Sequence, residues 1–214
     1  MDPAAYDALK DFIWTRVWSG FYSSEDILAD AMEGLDECWF YEDPVEADEK
    51  EVKALIDKEV AAKKADECQW PVETMCDRLT GAFEALTARG IISLECAGYT
   101  ISDGWSDYQE VVVVEWEPAG ARQHIRGGCF YHEQDLERAV AGDGLFLAYG
   151  ATSGDDHDSI AVAGEIIQVM QEFGFKPEWD GTIAQRIFLP IEWKRRCKPR
   201  ANPAPPPSLV KISR

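Results

Sequence analysis

One stretch, residues 126–151, constrains the fold of this chain more than any other. Two glycines open it, a short apolar run ends at His132, and apolar residues at helical spacing follow. Gly142 and Gly144 end that helix, and a second apolar run ends at Gly150. The pattern predicts a strand, a short helix and a second strand. We interpret the helix as a short crossover, which allows a parallel, right-handed pair of strands.

The residues before this stretch predict a mainly helical half. Apolar side chains at three- and four-residue spacing mark amphipathic helices at residues 5–18, after Ser23 or Ser24, within residues 45–64 and from Trp70-Pro71 onward. Residues 102–116 are ambiguous, because Ser102 and spaced aromatic side chains fit a helix, whereas Val111–Val114 fits a strand. We predict a helix for this segment.

The residues after it predict another helix and a hairpin. An acidic loop, Asp155–Asp158, precedes a helical pattern over residues 160–173. The dipeptide Asp180-Gly181 is a hairpin-turn signal between two short runs, Lys176–Trp179 and Thr182–Leu189.

These elements define the fold class as α+β. We predict one domain at residues 1–193, mainly helical over 1–89, with a mixed four- or five-stranded sheet and helices packed on it over 90–193. Residues 194–214 are basic and Pro-rich without apolar periodicity, which predicts a disordered tail. Removal of Lys198–Arg214 is expected to leave the melting temperature nearly unchanged.

The charge of the chain excludes several classes of partner. With 40 acidic against 21 basic residues, the net charge is −19. Nucleic acids and anionic lipid surfaces both require a basic footprint, so neither is expected to bind. A strongly acidic protein is suited to a basic protein partner. The sequence does not indicate an oligomeric state.

The compartment and the cofactor content follow from what the sequence lacks. No apolar run approaches the ~20 residues of a membrane span, and the first residues do not resemble a signal peptide. The six cysteines are scattered and without ligand spacing to histidine, which predicts reduced thiols in the cytoplasm, no metal site and no cofactor.

Three segments resemble a known family. They are similar to a bacterial domain of unknown function. The segments are TMCDRLTGAFEALTARGI at 74–91, FYHEQDLERAVAGDGLFLAYGA at 130–151, and the pattern Trp179-Asp180-Gly181, Arg186-Ile187 and Trp193. The resemblance covers roughly residues 5–196 and implies no activity. Some members of that family carry a cysteine-rich segment after the strand near residue 91, where this chain has Cys96 alone, and this weakens a metal-site hypothesis.

His132, Asp135 and Arg186 are the candidate catalytic residues. His132 and Asp135 lie where a strand meets a helix, which suits acid–base chemistry or cation binding, but also simple stabilisation of the helix dipole. Asp135 and Arg138 are spaced for an ion pair. Arg186 could hold a carboxylate or phosphate in a cleft. Strand alternation favours the solvated face of an edge strand instead.

Three functions of different classes remain. We favour a non-enzymatic protein that binds a basic protein partner, of which toxin neutralisation by an immunity-type protein is one form. Its candidate binding residues are the dense carboxylates Glu42, Asp43, Glu46, Asp48, Glu49 and Glu51, although the same pattern is equally typical of a solvated helix face without a partner. The alternatives are an enzyme or small-ligand binder with a cleft near His132, Asp135 and Arg186, and a structural accessory domain.

Overall fold

A computed structural model describes residues 2–40, 47–198 and 202–210. The chain divides into two compact units. We call Met1–Thr74 with Lys194–Arg200 the helical unit, and Met75–Trp193 with Ala201–Arg214 the sheet unit. The predicted α+β class, with a helical first half and a mixed sheet covered by helices, is confirmed. None of the helices described here is both long and apolar enough to cross a membrane.

The helical unit contains three amphipathic helices, α1 (Pro3–Ser19), α2 (Ser24–Asp36) and α3 (Glu49–Glu67). Each begins after a side chain that accepts a backbone N–H, and the caps are Asp2, Ser23 and Asp48. The predicted apolar periodicity forms one buried cluster of Leu9, Ile13, Val17, Ile27, Ala31, Leu35, Val52 and Ile56. Local spacing and capping chemistry therefore account for this unit.

Trp70 does not start the fourth helix, contrary to the prediction from Trp70-Pro71. Its indole N–H donates to the Asp66 carboxylate in α3 at 2.8 Å, and its ring is buried. This bond ties Trp70 to the preceding helix, and α4 begins only at Met75.

Lys194–Lys198 pack within the helical unit, although the sequence predicts a disordered tail from residue 194 onward. The Lys198 N–H donates to the Gly20 carbonyl at 3.1 Å, and the buried Arg195 guanidinium lies 4.0 Å from the Phe21 ring centroid. A Cβ on Gly20 would lie 2.6 Å from the Arg195 carbonyl oxygen, so the close approach requires glycine. An arginine that packs by stacking has no apolar periodicity, and sequence spacing therefore does not detect it.

The sheet unit contains all four described strands. Its helices and strands are α4 (Met75–Ala88), β1 (Ile91–Leu94), α5 (Ile101–Val111), β2 (Gly127–Phe130), α6 (Glu133–Val140), β3 (Leu145–Ala151), α7 (Asp156–Glu172) and β4 (Ile187–Leu189). Short helical turns occupy Val112–Trp116, Arg122–His124 and Pro207–Leu209. The strand order is β1-β2-β3-β4; β1 and β2 are parallel and the other pairs are antiparallel.

The crossover predicted around α6 is wrong, because β2 and β3 are antiparallel. A helix of eight residues is only about 12 Å long. Gly142 and Gly144, with φ of +92° and +75°, then turn the chain back toward β2. The parallel pair is β1 and β2 instead, and the longer connection that contains α5 joins them.

Residues 101–116 are helical, which confirms the prediction made for the ambiguous segment. The cap is Thr100 and not Ser102, because Thr100 and Asp103 form a reciprocal capping box. The valine run ends α5 and continues as a π-helical turn, Val112–Trp116. Capping and burial of the helix face therefore outweigh the β-propensity of four valines.

The predicted hairpin around Asp180-Gly181 is reduced to one bridge. Glu178 pairs with Phe188, and β4 spans only three residues. The Asp180 carboxylate accepts the Thr182 N–H at 2.9 Å and forms a local turn within a wider loop. The predicted turn is present, whereas the strand predicted before it is reduced to a single bridge at Glu178.

A second part of the tail also packs, within the sheet unit. The Trp116 indole N–H donates to the Pro203 carbonyl at 3.0 Å, and Leu209 packs against the buried cluster that contains Trp116. Pro206 has the φ of −62° and ψ of 147° of a polyproline II segment. The Pro-rich segment that contains Pro203 and Pro206 is therefore extended and packed, and we call it the proline-rich strap.

Candidate functional site

The three candidate catalytic residues lie together in the sheet unit. His132 is the N-cap of α6, and its Nδ1 accepts the Asp135 backbone N–H at 3.3 Å. The Asp135 carboxylate accepts the His132 backbone N–H at 3.4 Å. The sequence His132-Glu133-Gln134-Asp135 thus forms a capping box with an imidazole in place of the usual hydroxyl.

Arg186 completes the cluster from the segment before β4. Its Nη1 donates to both Asp135 carboxylate oxygens, at 2.9 and 2.8 Å, and lies 3.3 Å from His132 Nε2. The same Nε2 lies 3.1 Å from Asp135 Oδ2. Because Nδ1 accepts a backbone N–H, the neutral imidazole carries its proton on Nε2 and directs it toward the carboxylate.

An aromatic anchor positions Arg186. The Trp179 indole N–H and the Tyr149 hydroxyl both donate to the Gln185 carbonyl, at 3.2 and 3.1 Å. The Thr182 carbonyl lies 3.0 Å from each of the two donors, so each donor shares its single hydrogen between the two carbonyls. These bonds hold the backbone immediately before Arg186 against β3. The Trp179-Asp180-Gly181 and Arg186-Ile187 pattern therefore has a structural role at this site.

Burial sets the protonation of the cluster. The side chains of His132, Asp135 and Arg186 are 5%, 1% and 32% exposed. Burial lowers the pKa of His132 below its ordinary value. The Asp135 and Asp103 carboxylates oppose this pKa shift, and Arg186 adds to it. The imidazole is therefore neutral at pH 7, under a half-buried guanidinium.

A comparison with protein families identifies one match, which covers nearly the whole chain. Residues 2–197 match the DUF6891 family, a domain of unknown function. The chain belongs to this family. Membership confirms the resemblance noted from the sequence, and it supplies no activity. No curated protein and no solved structure matches the chain.

The expectations from the sequence for Arg186 and Arg138 are both wrong. Arg186 was expected on the solvated face of an edge strand, yet it reaches Asp135. Asp135 and Arg138 were expected to pair, but Asp135 points inward, whereas Arg138 is exposed, with its guanidinium 5.5 Å from the Phe146 ring centroid. The Arg186 guanidinium lies 4.9 Å from the same centroid. Sequence reasoning did not identify Phe146 as a site residue.

The cluster is better suited to holding structure than to acid–base catalysis. Both imidazole nitrogens face partners within the protein, and the buried carboxylate is bonded by a guanidinium. A general base needs a nitrogen or oxygen within reach of a substrate proton. Of the three side chains, only that of Arg186 is substantially exposed.

The candidate partner-binding residues divide into three groups. Glu42, Asp43 and Glu46 lie outside the described residues. Asp48 is the cap of α3 and accepts the Lys50 N–H at 2.9 Å. Glu49 and Glu51 are exposed in the first turn of α3.

Two further features could attract a ligand. A cavity of about 550 Å³ in the sheet unit is lined by residues 139–144, Phe188 and residues 190–193. None of the three clustered side chains lines it. In the acidic loop, ligand atoms of Asp155, His157 and Asp158 lie within 4.8 Å of one another. Asp155 caps α7, and this cap accounts for the arrangement without a metal.

Proposed function

We propose that this protein is a non-enzymatic, cytoplasmic bacterial protein that binds a basic protein partner. Toxin neutralisation by an immunity-type protein is one form of this function. The observation that carries the proposal is an exposed face of α1 in the helical unit, which presents two aromatic side chains, two aspartates and one lysine. Such a face offers both charge for encounter and aromatic area for contact.

The face follows from the helical period. Ala5, Leu9, Ile13 and Val17 are buried at four-residue spacing, and the side chains between them point outward. The outward ones are Tyr6, Asp7, Lys10, Asp11 and Trp14. Tyr6 and Trp14 are 39% and 37% exposed, which is high for aromatic residues. A basic side chain of a partner could stack on the Trp14 ring near the Asp11 carboxylate.

One carboxylate of this face, Asp11, and two carboxylates at the start of α3, Glu49 and Glu51, are not neutralised by an ion pair with a described residue. Lys10 neutralises Asp7, because the two side chains pair at 2.8 Å, and its ammonium also lies over the Tyr6 ring. Unpaired surface carboxylates steer a basic protein toward the surface and accelerate association.

The candidate catalytic cluster also supports a binding role. The His132 imidazole caps α6 and the Asp135 carboxylate accepts from Arg186, so the residue types most suited to catalysis have structural partners. Interface energy is concentrated in aromatic anchors, and this chain exposes several on the helical unit, including Trp39 at 50%.

The test is capture of a basic partner from the native cell by the full chain, followed by kinetics with that purified partner. The variant Asp7→Lys/Asp11→Lys changes the α1 face, and the matched control Asp143→Lys/Asp156→Lys makes the same charge change on exposed carboxylates of the sheet unit. We expect only the first to slow association, and more so at low salt, because exposed charges act on the on-rate.

The aromatic anchor is tested separately. Trp14→Ala is expected to raise the dissociation rate with little effect on association, because desolvated aromatic contacts are lost only after docking. Equal kinetics for the wild type and both variant types, or capture that is insensitive to salt, contradicts the proposal.

A further inference from the structure

Two guanidinium groups share one aromatic ring in the sheet unit. The Arg138 and Arg186 groups lie 5.5 and 4.9 Å from the Phe146 ring centroid, one carried by α6 and the other by the segment before β4. The Phe146 ring is itself held by Phe188, with centroids 5.0 Å apart. A guanidinium that stacks on a ring keeps its edge available for hydrogen bonds.

Most of the donors on these two groups have no acceptor within the described chain. All the contacts of Arg186 with Asp135 and His132 use Nη1, which leaves Nε and Nη2. Arg138 forms no hydrogen bond or ion pair with any residue that the structure describes, although acidic residues outnumber basic ones by 40 to 21. The donors that remain match the planar acceptor geometry of a carboxylate.

The cavity of about 550 Å³ and the ring pair Phe146–Phe188 have one residue in common. Phe188 belongs to both, because its ring contacts Phe146 and also lines the cavity. Ala139, which follows Arg138, is another lining residue. The cavity volume lies within the roughly 300–1,000 Å³ typical of small-ligand sites.

The lining determines what kind of molecule the cavity suits. Most of the lining is apolar, from Ala139, Val140, Pro190, Ile191 and similar side chains. The acidic residues Asp143 and Glu192 also line it, and they disfavour a second anionic group on a ligand.

We propose that Arg138, Arg186 and Phe146 bind the carboxylate of a small organic acid whose apolar body occupies the adjoining cavity. The ligand class is a monocarboxylate with an aromatic or aliphatic body. Arg138 contributes its whole guanidinium edge, and Arg186 contributes Nε and Nη2 while Nη1 keeps Asp135 in place. This site is independent of the α1 face and does not require a protein partner.

The test uses the full chain and phenylacetate as the probe, with phenylacetamide as its uncharged match and phenyl phosphate as its dianionic match. Isothermal titration and the fluorescence of Trp193, which lines the cavity, report binding. We expect saturable phenylacetate binding in the millimolar range or tighter, and weaker binding of both matched compounds.

Two variants assign the binding to the site. Arg138→Gln is expected to weaken phenylacetate binding about tenfold, because it removes a charged donor from an exposed position that the fold does not use. Ala141→Phe, at a lining residue, is expected to weaken binding by filling the cavity. Arg122→Gln, which removes an exposed arginine elsewhere, serves as the control and leaves binding unchanged.

Three results overturn the proposal. The first is the absence of saturable phenylacetate binding by the folded wild type. The second is equal affinity for phenylacetate and phenylacetamide, which shows that the guanidinium pair does not select the anion. The third is wild-type affinity in the folded Arg138→Gln variant.

Discussion

The helical unit and the sheet unit each bury a charged side chain, and they satisfy it differently. In the helical unit, the Lys63 ammonium donates to the Val17 carbonyl at 3.0 Å, near the C-terminal end of α1 where the helix dipole is negative. In the sheet unit, the Asp135 carboxylate is bonded by the Arg186 side chain, 51 residues away in sequence.

The difference concerns what each charge depends on. A backbone carbonyl remains an acceptor whatever side chain the residue carries, so the Val17 acceptor of Lys63 does not change with substitution, unlike its more distant ion pair with Glu67 at 3.8 Å. The acceptor of Arg186 disappears if Asp135 is replaced, and the capping box of α6 disappears with it. Side-chain networks are therefore expected to be more sensitive to single substitutions than side-chain-to-backbone contacts.

The largest expected effect is that of Asp135→Ala. This change removes the carboxylate that pairs with the Arg186 guanidinium and breaks half of the α6 capping box, which should lower the free energy of unfolding by about 3 kcal/mol. Chemical denaturation of the full chain measures the change.

The control for this experiment is Asp7→Ala, an exposed carboxylate in a surface pair with Lys10. It should leave the free energy of unfolding unchanged within error. If Asp135→Ala is as stable as Asp7→Ala, the buried network does not stabilise the sheet unit.

The second effect is a dependence of stability on pH. Burial lowers the folded-state pKa of His132 below its ordinary value of 6.5, so its contribution is fully present above pH 6.5. Below that pH the unfolded chain binds the proton and the folded chain does not. This difference costs at most about 1.4 kcal/mol per pH unit for one group, until the folded-state pKa is passed.

The pH dependence is assigned by comparing two histidine variants. His132→Asn retains a residue that can cap α6, and it should flatten the loss of stability just below pH 6.5 relative to the wild type. His157→Asn, at a side chain that is 94% exposed, should keep the wild-type profile. A wild-type profile in His132→Asn contradicts the assignment.

Deletion of residues 202–214 should have a smaller effect. It removes the acceptor of the buried Trp116 indole, and this should lower the free energy of unfolding by about 1 kcal/mol. Thermal unfolding measures this loss. The composition of the tail alone predicts no loss of stability. An unchanged melting temperature would support the original expectation of a disordered tail over the packing seen here.

Lys63→Met should have the smallest effect of the four. The apolar side chain has a similar shape and keeps the packing of α3, so the net change should be below about 1 kcal/mol. Lys64→Met, at the exposed neighbouring position, is the reference for loss of a charge without burial. A loss from Lys63→Met as large as that from Asp135→Ala would remove the contrast between the two units.

The site was partly predictable from the sequence. His132, Asp135 and Arg186 were each identified by residue type and position, and the structure places them in contact. Their geometry was not predictable, because the expected partner of Asp135 was Arg138 at helical spacing. The bonds of Trp179 and Tyr149 to the Gln185 carbonyl decide where Arg186 lies, and the bond from Tyr149 joins β3 to a residue 36 positions later in the chain.

The sequence by itself determined the helices, their caps and the acidic character of the chain. These depend on side chains within a few residues of one another, and the 3.6-residue period is visible without tertiary contacts. Only the tertiary structure decided that β2 and β3 are antiparallel, that Arg186 bonds Asp135, and that the proline-rich strap lies on Trp116. Each of these depends on contacts between residues far apart in sequence, and such contacts leave no local periodicity.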